Sequence, residues 1–197
     1  MVRAYHAIFT TYGFWLPNDP RGSWSDFVRS WELFKHGRAT KTTERRSLAG
    51  DSHDVAKRKS AKNALRYPAV VFDGLQARAC VRGFAQAAER SGYVIYACSI
   101  LPDHVHVVVR RHRQWIERVI GHLKGAATQQ LMQENRNPFQ PRSVGTDLPS
   151  PWARRCWKVF LNTDESIRRA IRYVEENPIK EYKHQQQWSF VTPFYAP

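Results

Sequence analysis

Cysteine is scarce and scattered in this chain. The three residues, Cys80, Cys98 and Cys156, form no C-x-x-C pair, which argues against a disulfide framework and a structural zinc site and leaves reduced, mostly buried thiols. No apolar run reaches the ~20 residues needed to cross a bilayer. The start, Met1-Val2-Arg3-Ala4-Tyr5-His6, lacks a signal-peptide core and cleavage site. The expectation is a cytoplasmic protein with no membrane partner. Internal repeats are absent, as is a basic amphipathic helix with an aromatic-rich apolar face of the kind that lies on membranes. Acidic residues are also few: 17 Asp and Glu stand against 31 Lys and Arg, a formal charge of +14. A polyanionic partner follows naturally, because neutralising phosphates releases counterions. Charge says nothing about chemistry.

What is present is enough for one core. Of 197 residues, 42 % are hydrophobic, which suits a single domain rather than a disordered chain. The run Ala4–Tyr12 is aromatic and β-branched and reads as a strand. Trp15 to Trp24 is rich in turn formers. From Lys35 to Arg66, ten Lys and Arg meet three acids, so this stretch carries half of the net charge with few large apolar residues. It reads as an insertion, either a DNA-clamping arm or a solvated, mobile loop. After Pro68 the pattern is regular. Gly74–Ser91 has helical spacing, with Leu75, Ala79, Ala85 and Ala88 as its apolar face and Gly92 as its stop. Strands are expected at Tyr93–Ser99 and His104–Val109, and a second helix at Trp115–Glu134. A further strand is expected at Arg155–Leu161. Asn162-Thr163-Asp164 offers a cap for a last helix from about Glu165 to Asn177, stopped by Pro178. The order predicts an α+β fold: a ferredoxin-like β-α-β-β-α-β core with an antiparallel sheet, plus a C-terminal helix and a basic insertion. Residues 1–197 form one domain in this reading, with core at about 1–12 and 68–180, insertion at about 13–66 and tail at about 181–197.

Two segments can carry chemistry. In Asp103-His104-Val105-His106-Val107, strand alternation sends His104 and His106 to one face and the valines to the other. Two imidazoles on a rigid strand make a bidentate platform for a divalent cation. The plainer alternative is one packed histidine and one surface histidine. In the second segment, Ile167, Ala170, Ile171 and Val174 form a buried stripe, with Tyr173 near its edge and Asn177 one turn further on. Arg169 and Arg172 flank that face and can hold phosphates. Taken alone, these residues read first as a tyrosine packed at the core's edge and an asparagine capping the helix before Pro178.

His104-Val105-His106 and Arg172-Tyr173-Val174-Glu175-Glu176-Asn177-Pro178 together resemble the His-hydrophobic-His and R-Y-[IV]-x-x-N-P segments of the REP-associated tyrosine transposases. These belong to the single-tyrosine HUH, or IS200-like, transposases. The resemblance implies that His104 and His106 are metal ligands, with Asn177 completing the shell around Mg²⁺ or Mn²⁺, and that Tyr173 is the nucleophile. It also implies a DNA strand transferase that cleaves and rejoins single-stranded, hairpin-forming DNA through a 5′-phosphotyrosine, as a monomer or a homodimer. Asp103 departs from the family's usual Asn; its carboxylate either orients a histidine from behind or shapes the turn. Trp15, Arg21 and Trp24 are candidates for DNA contact by stacking and charge, or for packing within the insertion. The alternative function is a domesticated, non-catalytic nucleic-acid-binding protein of the same fold.

Overall fold

The opening β-branched and aromatic run folds as strand β1 (Ala4–Thr10), as side chains that fit a pleated surface should. The computed structural model describes residues 1–14, 16, 19, 31–37, 52–140 and 148–195. Among these, β1 is followed by α1 (Trp31–Phe34), α2 (Val55–Asn63), α3 (Gly74–Ser91), β2 (Ile95–Ile100), β3 (His104–Arg110), α4 (Ile116–Gln133), β4 (Trp157–Leu161) and α5 (Asp164–Lys180). The strands lie in the order β2-β3-β1-β4 with every neighbour antiparallel. Since α3 links β1 to β2 and α4 links β3 to β4, this is the expected ferredoxin-like core.

Alternation along the strands divides the interior in two. Ala7, Phe9, Cys98, Ile100, Val105, Val107 and Val109 pack with α3 and α4 in the larger core. On the opposite face Ala4, Ala97, Val108 and Leu161 pack with Ile167, Ala170 and Val174 of α5. Each large aliphatic chain so buried stabilises the fold by about 1.5–3 kcal/mol. The expected apolar face of α4 (Ile116, Val119, Ile120, Leu123, Ala127, Leu131) is its buried face.

The face of α3 differs from the expected one. Its buried residues are Ala79, Cys80, Gly83, Phe84, Ala87 and Ala88, whereas Leu75 is 49 % exposed and Ala85 is only half-buried. Close approach to α4 selected the face: a Cβ on Gly83 would lie 2.6 Å from the Ala126 carbonyl oxygen and from the Ala127 backbone. Small residues, not the largest hydrophobes, mark this seam.

In the basic segment, residues 55–63 form helix α2 rather than a loop. Asp54 accepts the Lys57 amide as N-cap, and Ala61 is its buried residue. Lys57, Arg58, Lys59 and Lys62 thus stand on a short helix with no acidic residue within it.

Helix α5 starts at the expected cap, Thr163, through a reciprocal pair of hydrogen bonds with Ser166. It does not stop at Pro178 but continues to Lys180. Proline falls in the last turn, where its missing N–H removes one helical bond. The chain turns only at Tyr182, in the left-handed region with φ 57°, where the Lys183 amide donates to the Pro178 carbonyl at 2.9 Å. Beyond it, the Gln186 side chain brackets Ile100: the Ile100 amide donates to Oε1 at 2.7 Å, and Nε2 donates to the Ile100 carbonyl at 2.8 Å. The Thr192 amide donates to the Ile95 carbonyl at 2.8 Å.

Replacing Gly83 by Ala should destabilise the protein by about 1–3 kcal/mol through overpacking at the α3–α4 seam. Urea unfolding of the two proteins side by side checks this, and an unchanged midpoint would contradict the close approach.

Candidate active site

The α5 face of the sheet carries the polar residues. A three-residue turn, Leu101-Pro102-Asp103, joins β2 to β3. It is held by the Leu101 amide donating to the His104 carbonyl at 2.8 Å and by the Thr11 amide donating to the Asp103 carbonyl at 2.9 Å. His104 and His106 then alternate with Val105 and Val107, and the two histidine ring centroids lie 4.9 Å apart. The valines are buried in the larger core.

Each histidine is fixed from behind by a different group. His104 Nδ1 lies 2.7 Å from Asp103 Oδ1, so the aspartate orients this ring. The Asp103 backbone carbonyl, by accepting the Thr11 amide, also helps hold the turn. His106 Nδ1 lies 2.9 Å from Nε2 of His6 on the neighbouring strand β1, and both rings are buried at 4 % and 8 % exposure. Both are uncharged at neutral pH. Burial pushes His6 down to about 4. Burial, and then the neighbouring His104 and His6, hold His106 well below the usual histidine range.

The last helix brings the remaining groups. Tyr173 is 42 % exposed, and its ring lies 5.6 Å from that of His106 and 5.7 Å from that of His6. The phenol and the imidazoles therefore meet within one chain. Burial, and secondarily the Glu181 carboxylate, raise the Tyr173 phenol above its ordinary value. Lys180 sets its ammonium 4.9 Å from the Tyr173 ring centroid. Asn177 is buried, with its Nδ2 3.5 Å from His104 Nε2, while Glu181 Oε1 is 4.0 Å from the same nitrogen. Arg172 is exposed on the same helix. Arg169 is exposed too, and it donates to Glu165 at 2.6 Å. Trp15, Arg21 and Trp24 lie outside the described residues.

The donor set suits a divalent cation. A carboxylate can only accept, so the Asp103 contact favours the tautomer with hydrogen on His104 Nδ1, while Nε2 lies towards Asn177. Ligand bonds to Mg²⁺ run about 2.0–2.1 Å, so two donors on one ion stand at most about 4.2 Å apart. The amide meets that limit, and a half-turn presents its oxygen instead of its nitrogen. Ser99, paired with His106 across the sheet, buries a hydroxyl with no hydrogen-bond partner among the described residues. Among the described residues no three His, Cys, Asp or Glu side chains converge as a metal cluster. Beside the two histidines, both Asn177 and the Glu181 carboxylate lie within that limit of His104 Nε2 and could supply a further donor.

His6 and Glu181 escaped the sequence reading. His6 carried the signal applied to His104 and His106, a polar ring inside an apolar strand, but its partner is 100 residues away. Glu181 was hidden by ending the helix at Pro178.

A family profile described as IS200-like transposase matches residues 64–177, a span that includes both strand histidines, Tyr173 and Asn177. A Haemophilus influenzae protein described as a REP-associated tyrosine transposase is 28 % identical over 103 residues, covering 49 % of this chain and 56 % of that protein. The chain therefore spans little more than half the length of that curated relative. Among solved structures, a REP-associated tyrosine transposase bound to a REP hairpin gives a TM-score of 0.49 at 12 % identity, over 95 % of this chain and 74 % of that one. A Deinococcus radiodurans protein described as a transposase gives 0.43 at 16 % identity, over 94 % of both chains.

The buried histidines make acid stability a direct check. The folded value of His6 lies below that of the unfolded chain, near 6.5, so the unfolded state takes up the proton first. The stability this provides is whole above 6.5 and is lost as pH falls through 4. In EDTA, the denaturation midpoint should drop across that window, and the drop should be shallower in His6→Leu. Identical slopes would show that His6 is not held neutral.

Proposed function

The chain belongs to the IS200-like transposase family, and from that premise we propose that it cleaves and rejoins single-stranded DNA through a covalent link to Tyr173. The observation that carries this reading is the placement of the Tyr173 ring 5.6 Å from His106, with His104, Asn177 and Asp103 around them. Tyr173 is a phenol with an exposed edge beside the site of both strand histidines, where His104 Nε2 lies 3.5 Å from Asn177 Nδ2.

In the reaction, Tyr173 Oη attacks phosphorus. The Oη–P bond forms as the bond from phosphorus to the 3′ oxygen breaks; the phenol loses its proton to solvent and the departing oxygen takes one up. The products are a 5′-phosphotyrosine and a 3′-hydroxyl. Because the phosphoester is conserved, another 3′-hydroxyl can reverse the step and join strands without ATP. Mg²⁺ or Mn²⁺, when bound, polarises the scissile phosphate. His104, His106 and Asn177 would hold that ion, and Asp103 keeps His104 in the tautomer that can bind it. The phenol is a reluctant nucleophile here, since burial and Glu181 both disfavour its charged form. Lys180, positive and over the ring, opposes that effect.

The substrate in this reading is hairpin-forming single-stranded DNA. The +14 charge supplies attraction to phosphates, with Arg172 on the tyrosine helix and the cations of α2 as contact candidates. In this reading Tyr173 acts with the histidines of its own chain, the His106 ring being 5.6 Å away.

Tyr173→Phe should abolish the protein–DNA adduct seen on denaturing gels while leaving hairpin binding nearly intact. An adduct of normal yield would remove Tyr173 as nucleophile, and hydrolysed ends with no adduct would point to water instead. Replacing His104 and His106 together by Ala should take Mn²⁺-dependent cleavage below detection. A binding comparison of hairpin, linear single-stranded and duplex DNA should favour the hairpin, with affinity falling steeply as salt is raised. Equal binding to all three would mean non-specific electrostatics.

A further inference from the structure

We propose that His6 is a positioning residue: its Nε2 accepts the Nδ1 proton of His106, fixing His106 in the tautomer whose Nε2 lone pair faces a metal ion, and its ring braces Tyr173. This rests on the reading of His104, His106 and Asn177 as the metal site and adds a residue to it. A metal-bound histidine almost always donates its other ring N–H to a fixed acceptor, and removing such acceptors typically costs 10–100-fold in metal affinity or activity. For His104 the acceptor is the Asp103 carboxylate, 2.7 Å away. Among the described residues, His106 has no carboxylate at its Nδ1. The group at its Nδ1 is His6 Nε2, at 2.9 Å.

Two neutral imidazoles joined through one contact share a single proton. If that proton sat on His6 Nε2, His106 Nδ1 would be the acceptor and its Nε2 would carry hydrogen, which blocks a metal. Only the opposite arrangement, with His6 protonated at Nδ1 and accepting at Nε2, leaves His106 ready to bind. The sheet fixes the geometry: His6 pairs with Val108 in register, one step diagonal from His106 on the same face, and the rings stack at 5.2 Å between centroids. The same ring lies 5.7 Å from that of Tyr173. His6 therefore lies against both the proposed ligand and the proposed nucleophile.

The test compares His6→Leu, which keeps bulk and removes the acceptor, with His6→Gln, whose Oε1 reaches the place of Nε2. Mn²⁺ affinity is measured by calorimetry, with the His104→Ala/His106→Ala protein as control and melting curves to establish folding. His6→Leu should bind Mn²⁺ about 10–100-fold more weakly than the unaltered protein, with His6→Gln recovering most of the loss. Nitrogen NMR of the metal-free, unaltered protein should find the His106 proton on Nδ1. Unchanged affinity in folded His6→Leu, with binding abolished in the double-alanine control, would overturn the role of His6 and leave the metal site standing. Unchanged affinity in the control, or no Mn²⁺ binding by the unaltered protein, would overturn the site itself and the inference with it. A His106 proton found on Nε2 would overturn the inference even if His6→Leu fails to fold.

Discussion

The seating of α5 on the sheet is the contact from which the rest of the site follows. Ile167, Ala170 and Val174 press onto Ala4, Ala97 and Val108, and the small residues on both sides let the helix lie close. That packing fixes rotation about the helix axis. Tyr173, one residue before Val174, must then lie at the margin of the contact, while Asn177 is carried down towards His104. A helix rotated by one residue would carry the phenol and the amide together away from the histidines. The apolar stripe therefore sets the angular position of the polar groups, and the histidines meet them because β3 presents its alternate face to the same helix.

Burial works in two directions here. It strips charge from His6 and His106, which keeps them available as lone-pair donors and acceptors, and it raises the cost of the Tyr173 phenolate. The half-exposed edge of the site has a different character, with Lys180 against the phenol and Glu181 near His104. Neutral imidazoles lie at the bottom and charged side chains at the rim, so the electrostatic balance at the phenol depends on what occupies the rim.

Much of this was legible because it rests on local patterns. The His-Val-His alternation needs only the two-residue period of a strand, and the Thr163 cap and the stripe of α5 need only helical spacing. What was hidden depends on distant partners. His6 acquires meaning through the register between β1 and β3, which no local window contains. The seam of α3 runs through Gly83 because α4 comes within touching distance there, so apolar residues at helical spacing found Ala79 and Ala88 but also picked Leu75, which is largely exposed. Pro178 was read as a stop because it cannot donate a helical hydrogen bond. In the final turn that loss is a single bond, and the helix carries on to bring residues 180 and 181 to the site. In the basic segment, residues 55–63 show that charge density alone does not distinguish a helix from a loop; Asp54 caps the helix there by accepting the Lys57 amide.

The bracket that Gln186 makes around Ile100 bears on how the protein behaves in company. An open strand edge is a template on which another chain can lay its own backbone. On β2 that row of donors and acceptors is interrupted by a side-chain amide standing in for a neighbouring strand at Ile100, and by residue 192 at Ile95. The far edge, β4, is only five residues long and carries Lys158, ion-paired with Glu117. Short, charged edges discourage pairing. A strongly basic protein becomes crowded whenever many copies gather on one polyanion, and crowding is where sheets tend to grow sideways. This sheet has both margins guarded against such growth.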